Sequence, residues 1–332
     1  MEDKVLKIKN LSVEFSTSGE SFKVVNDVNL ELEKGEILGL VGESGCGKTT
    51  TALSILGLLP KNAKITGGEI LFEGKNLLLL SKEELRKIRG KDIGIISQNS
   101  MSNLNPIRKI KKQFIESIRT HVDISKKEAH EIACEMLQKV NLSDPERIMN
   151  QYSFQLSGGM RQRVMIAMAI ALRPKILIAD EPTTALDVTV QAQILEEIDK
   201  LRKDFGISII FVSHNLGIIS QLADRIGVMY AGEIVEYGFI SSVFNNPIHP
   251  YTKGLLESVP KIENAKKILK AIRGNPPDLS KKHFGCLFYP RCDYVMDTCR
   301  CKKPKLIKIK EDSMGACHLI NKNSLGNKII NL

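Results

Sequence analysis

The chain has 332 residues, 42% of them hydrophobic and 26% charged, and a formal net charge of +10. That length suits one large or two smaller domains with a substantial core, and the lysines are scattered rather than blocked, so the basic balance reads as a solvated surface and not as a nucleic-acid tract. The longest apolar runs, such as ILGLV and SIIFV, fall far short of the roughly 20 residues that cross a bilayer, and MEDKVLKIKN lacks the apolar stretch of a secretory signal, so the cytosol is the expected compartment.

In chain order, VLKIKNLSVEF and EILGLV, within residues 5–41, read as strands. A helix is expected over residues 48–59, and helical patterns such as KKEAHEIACEMLQKV fill residues 100–172. Between 176 and 230 the buried strands ILIAD, ISIIFVS and DRIGVMY alternate with helices. One of these, VTVQAQILEEIDKLRKDF, gathers Ile194, Leu195, Ile198 and Leu201 on one face. Strands alternating with helices predict a mainly parallel, doubly wound α/β sheet. From about residue 245 prolines cluster, periodicity fades and cysteines accumulate, so a small appended domain is expected there.

Three motifs carry chemistry. GESGCGKTT, residues 42–50, fits G-x-x-x-x-G-K-[ST] between a strand and a helix. Its glycines Gly42, Gly45 and Gly47 let backbone N–H groups converge on phosphate. Lys48 is placed to reach the β- and γ-phosphates and Thr49 to ligate Mg²⁺, while Cys46 reads as a small filler. KILIADEP ends a buried strand in Asp180, a candidate Mg²⁺ ligand, and Glu181, a candidate base for the attacking water. In LSGGMRQR, Ser157 followed by Gly158 and Gly159 reads on its own as a helix start.

In this order, with Gln98 in IISQNSMSNLNP, the TALD run ending in Asp187, and His214 in FVSHN, these motifs resemble the ATP-binding cassette (ABC) ATPases over about residues 4–240. The resemblance implies a P-loop cassette with a RecA-like core sheet, an antiparallel β subdomain and an α-helical subdomain at about 99–172. It assigns residues 1–244 to the cassette. It implies that Gly42, Glu43, Ser44, Gly45, Cys46, Gly47, Lys48, Thr49 and Thr50 hold ATP, and that Thr49, Gln98 and Asp180 surround Mg²⁺. Glu181, His214 and Gln98 are then the catalytic group. Ser157, Gly158 and Gly159 would close on nucleotide held by a second cassette, with Asp187 in the loop between. Adenine would stack on an aromatic before the second strand, Phe15 being favoured over Phe22.

NPIHPYTKGLLESVP, GNPPDLS and GCLFYPRC, with SNLNP after Gln98, resemble the dipeptide and oligopeptide importer branch of that family. This implies two permease subunits, a second ATPase or another copy of the chain, an extracytoplasmic binding protein, no nucleic acid, and a place on the cytoplasmic face of the membrane. A nickel or other small-solute importer is the alternative; a soluble cassette protein working on nucleic acid or ribosomes is the alternative class. Asn99 and Asn215 stand where that branch more often has an acid. In the tail, residues 245–332, a reducing compartment argues against disulfides. The spacing Cys286-x5-Cys292-x6-Cys299 followed by Cys317 resembles the branch's [4Fe–4S] site. Zinc on the same thiolates stays open, as do plain unligated cysteines, and Cys301 is the spare.

Overall fold

The computed structural model describes residues 4–17, 19–98, 103–184, 186–259, 271–310 and 313–320. Two compact units emerge. One comprises Met1–Leu6, Leu32–Ile37 and Leu71–Val212; the other Lys7–Glu31, Leu38–Ile70 and Ser213–Leu332. Asn99 lies outside the described residues.

Alternating burial carries β1 (Lys4–Thr17) and β2 (Glu20–Glu33), the pattern of half-buried strands. The STSGES insertion lengthens these strands, and the Ser16 and Ser21 hydroxyls meet across them at 2.9 Å. The wholly buried β3 (Ile37–Val41) leads to α1 (Lys48–Ile55). This helix stops short of the expected residue 59 because Gly57 turns left-handed at φ 59°. The Gly57 and Leu58 N–H groups then close back on Ser54 and Leu53, a Schellman ending. The chain continues through β4 (Ala63–Phe72), β5 (Lys75–Asn76) and α2 (Lys82–Ile88) to β6 (Ile93–Ile96).

The helical stretch resolves into α3 (Ile110–Arg119), α4 (Lys126–Lys139), α5 (Pro145–Asn150) and α6 (Gly158–Ile170). Ser125 and Glu128 form a capping box that starts α4. Then follow β7 (Ile176–Asp180), α7 (Val188–Phe205), β8 (Ser208–Ser213), α8 (Leu216–Leu222), β9 (Arg225–Tyr230) and β10 (Glu233–Phe239). The tail holds α9 (Ile240–Asn245), α10 (Pro250–Glu257), α11 (Asp297–Cys301), β11 (Ile307–Lys310) and β12 (Ser313–Gly315).

In the unit built mainly from 71–212, β6, β7 and β8 pair in parallel. Ile194, Leu195, Ile198 and Leu201 of α7 are buried as their spacing predicts. Here the half-buried Arg163 pairs with the buried Glu197, which also accepts from the Asn141 amide at 2.8 Å. In the other unit β2, β1 and β4 lie side by side, and β3 pairs in parallel with β9. The mainly parallel expectation fails beyond that point: β9, β10, β12 and β11 are successively antiparallel. The β9–β10 link is only Ala231–Gly232, both at positive φ (48° and 87°), a type I′ geometry that returns the chain antiparallel.

The tail joins its unit through this sheet. Tyr237 of β10 faces Met314 of β12, and the fully buried Glu236 accepts the N–H groups of Ile248 and His249 at 2.9 and 3.0 Å. Burial pushes the Glu236 carboxyl up from its ordinary 4.5 to about 7. The folded state therefore holds a proton that the unfolded chain has released between those values. Glu236 thus lowers stability as pH rises through that window, by on the order of 3 kcal/mol in all, and adds no further slope above it. In Glu236→Gln that component of the slope should vanish. Denaturant titrations of both proteins at pH 5 and pH 8 check this, and an unchanged wild-type-minus-variant difference would refute it.

Candidate active site

The turn between β3 and α1 is shaped by what a side chain would strike. A Cβ on Gly42 would lie 2.1 Å from the Met229 carbonyl oxygen, and one on Gly47 would lie 2.7 Å from that of Val24. Gly47, at φ 102°, is the N-cap of α1 and offers no side-chain acceptor. No side chain of the cap residue covers the start of the helix, where the positive end of the helix dipole favours an anion. Lys48 is buried, and its Nζ donates to the carbonyls of Gly42 (2.7 Å) and Glu43 (2.9 Å). It also reaches the Cys46 sulfur at 3.7 Å, and a buried ammonium held by neutral acceptors is poised to exchange them for phosphate oxygens. The Thr51 hydroxyl is committed to the Gly47 carbonyl at 3.0 Å. Cys46 is buried, and burial raises its thiol pKa, so it stays a neutral filler. Phe15 and Phe22 are both half-buried, in β1 and β2 of this unit. With Ser16 meeting Ser21, the two rings are cross-strand neighbours. His214 is exposed just after β8, and Asn215 caps α8 by accepting the Gly217 N–H at 2.9 Å. An asparagine serves that cap as well as an acid does.

In the other unit β7 delivers Asp180, which is buried, and Glu181 directly after it. Glu181 stands at φ 46°, a left-handed conformation that costs a non-glycine residue about 1–3 kcal/mol and concentrates at functional sites. Its N–H donates to the Val212 carbonyl at 2.9 Å. Its carboxylate accepts from the Gln98 amide at 2.8 Å and the Thr184 hydroxyl at 3.1 Å. Two residues 83 apart in sequence, each singled out by its own motif, are thus in direct contact. Ser157 caps α6, its hydroxyl accepting the Met160 N–H at 3.2 Å. Gly158 and Gly159 open that helix, and a Cβ on Gly159 would press to 3.0 Å against Val190. Asp187 is the N-cap of α7 and accepts the Val190 N–H at 2.9 Å.

The tail brings Cys286, Cys292 and Cys299 close enough to Cys317 for the charge of their thiolates to raise its pKa. Burial is the larger cause, pushing Cys286 up to about 11 and Cys317 to about 12. The Cys286 N–H donates to the Cys299 carbonyl at 2.8 Å. Cys301 is exposed and turned back on the carbonyls of Asp297 and Thr298. Sequence reasoning missed Arg291 and Tyr251, which contact Glu43 of the phosphate loop; only the nearness of Arg291 to Cys292 in GCLFYPRC hinted at a role. It also missed His130, Cys134 and Glu146, the one group among the described residues whose three ligand atoms lie within 4.8 Å of one another.

The family described as "ABC transporter" matches residues 25–184, and "Oligopeptide/dipeptide transporter, C-terminal region" matches residues 235–299. The oligopeptide transport ATP-binding protein OppD of Bacillus subtilis is 47% identical over 310 residues, 93% of this chain and 87% of that one. The dipeptide transport ATP-binding protein DppD of the same organism is 48% identical over 298 residues, 90% of this chain and 89% of its own. Among solved structures, the ATP-binding cassette MJ0796 in a post-hydrolysis dimer bound to ADP and Pi is 31% identical with a TM-score of 0.64. It covers 71% of this chain and 98% of that one. These similarities bear out an ABC cassette fold of mixed α/β sheets.

The two loop glycines should differ in what they tolerate. Gly42→Ala forces the Met229 carbonyl to move and should destabilise by about 1–3 kcal/mol, with weaker ATP binding. Gly45→Ala meets nothing within 4 Å but keeps φ at 78°, costing about 1 kcal/mol. Urea denaturation and nucleotide titration of the two variants check the order.

Proposed function

The chain belongs to the ABC transporter ATP-binding protein family, and on that premise we propose that it is the ATP-hydrolysing subunit of an importer of short peptides. The observation that carries this reading is that the similarity to peptide-transport ATPases, 47–48% identity, extends over 90–93% of the chain, and that residues 235–299 match the oligopeptide/dipeptide transporter C-terminal region. Among the described residues no helix is long and apolar enough to cross a membrane. In this reading the chain works with separate permease subunits, fed by an extracytoplasmic binding protein, and sits peripherally on the cytoplasmic face. Residues 1–244 act as the cassette, with residues 99–172 as its helical subdomain, and residues 245–332 as a cysteine-rich extension.

In this reading Lys48 and the loop N–H groups from Gly42 to Thr50 hold the phosphates of ATP, and Phe15 stacks on adenine. Thr49, Asp180 and Gln98 would hold Mg²⁺, which would supply positive charge against the phosphate oxygens. Glu181 takes the proton of the attacking water, and its contact with Gln98 fixes the carboxylate's direction. His214 steadies the γ-phosphate. The α6 N-terminus at Ser157–Gly159 serves nucleotide held by a second cassette, a related ATPase or another copy of this chain, with Asp187 in the loop between. In Glu181→Gln the amide takes no proton, so MgATP binding should persist while peptide-stimulated ATPase in the reconstituted transporter falls 100-fold or more, on the order of a lost general base. Lys48→Ala should instead weaken binding. Wild-type turnover in Glu181→Gln would end the assignment, and stimulation by nickel but not by peptides would move the substrate class.

The donor set of the tail fits a [4Fe–4S] cluster held by Cys286, Cys292, Cys299 and Cys317. The four thiols converge, yet no three of their sulfurs lie within the 4.8 Å that groups His130, Cys134 and Glu146. A tetrahedral zinc with ~2.3 Å bonds needs sulfurs about 3.8 Å apart, and a cubane of four irons spreads its thiolates wider. Such a group supplies cross-links to a segment poor in regular structure. Protein purified without oxygen should be brown with about four irons per chain; Cys301→Ser should keep the colour and Cys299→Ser bleach it. Colourless protein with one zinc would replace the cluster by that ion.

A further inference from the structure

The phosphate loop opens with a glutamate, an unfavourable charge beside incoming phosphates. That carboxylate is answered from the tail. Arg291, whose side chain is 4% exposed, grips Glu43 with both terminal nitrogens, at 2.7 Å to Oε2 and 2.8 Å to Oε1. Its remaining donor, Nε, is held by the Arg273 carbonyl at 2.8 Å, and Nη1 also reaches the Tyr230 hydroxyl at 3.3 Å. The guanidinium lies over the rings of Tyr230 and Phe288 at 5.8 and 5.9 Å. Tyr230, Tyr251 and Phe288 pack against one another, and the Tyr251 hydroxyl accepts the Glu43 N–H at 2.8 Å. The Glu43 carbonyl, in turn, accepts from Lys48 and from the Cys46 N–H. Residue 43 is therefore pinned at its side chain, its N–H and its carbonyl, and two of the three pins come from beyond residue 245.

We propose that Arg291 is a positioning residue for nucleotide binding: it neutralises Glu43 and fixes the start of the phosphate loop, so that the cysteine-bearing segment completes the nucleotide site. The proposal rests on the reading that ATP binds at Lys48. A bidentate guanidinium–carboxylate pair has one defined geometry, and its burial against aromatic rings makes that geometry the cheap one. Arg291 reaches this place because it ends the short turn Tyr289–Arg291 immediately before Cys292. The segment that collects the thiols thereby also sets the arginine.

The mechanism makes a prediction of sign that simple destabilisation does not. In Arg291→Gln the Glu43 carboxylate is left uncompensated, and the ATP dissociation constant of the full-length chain should rise about tenfold or more, the scale of a lost charged hydrogen bond. Adding Glu43→Gln removes the orphaned charge, so the double variant should bind ATP more tightly than Arg291→Gln alone and recover most of the loss. Arg291→Lys keeps the charge without the fork and should fall between wild type and Arg291→Gln; it serves also if Arg291→Gln fails to fold, as judged by circular dichroism. Wild-type affinity in the Arg291 variants overturns the proposal, and so does a double variant no better than Arg291→Gln. Wild-type affinity in Lys48→Ala would instead remove the nucleotide reading beneath it, a separate and distinguishable failure.

Discussion

A helix begins with N–H groups that its own backbone cannot satisfy, and in α1 the residue placed to cap them is a glycine. Much else in the phosphate loop follows from that constraint. With no side chain at Gly47 or Gly42 the backbone passes against the Val24 and Met229 carbonyls at distances no other residue permits. The close approach buries Lys48, and a buried ammonium must find oxygens. It finds the carbonyls of Gly42 and Glu43 and the Cys46 sulfur, all neutral acceptors supplied by the loop itself.

A different constraint governs the carboxylate proposed as the base. Glu181 leaves a buried strand in a conformation that disfavours any side chain, and its backbone is held there by the Val212 carbonyl. Gln98 and Thr184 then fix the carboxylate itself. Strain at this residue and order around it belong together: a group held in a disfavoured geometry by its surroundings does not have to be reorganised when the reaction needs it. Helix α6 shows the opposite arrangement. Ser157 caps it in the ordinary way, and nothing about that start is costly.

Buried polar groups help tie the tail to its own unit. Glu236 accepts two backbone N–H groups, and His249, kept neutral by burial with its pKa lowered to about 3, accepts the Tyr251 N–H at 3.1 Å. Such groups tolerate one arrangement, since each unmade bond leaves a buried donor or acceptor without a partner. They therefore set where Tyr251 and, through the aromatic cluster, Arg291 must stand.

The sequence by itself determined the local chemistry. The phosphate loop, the strand ending in Asp180–Glu181, the serine cap before two glycines and the apolar stripe of α7 are all patterns of short range, decided by neighbours along the chain. It also determined the family, because those motifs occur in one order. Tertiary structure alone decided what depends on distant partners. The antiparallel run of β9 to β12 turns on an Ala–Gly pair that carries no strong hairpin signal, with Gly232 confined by the Val24 carbonyl. Helix α1 stops early because Gly57 finds a left-handed closure. The contact of Gln98 with Glu181 crosses 83 residues, and that of Arg291 with Glu43 crosses 248. No periodicity encodes such pairs: a glutamate and an arginine are ordinary surface residues until folding removes water from between them.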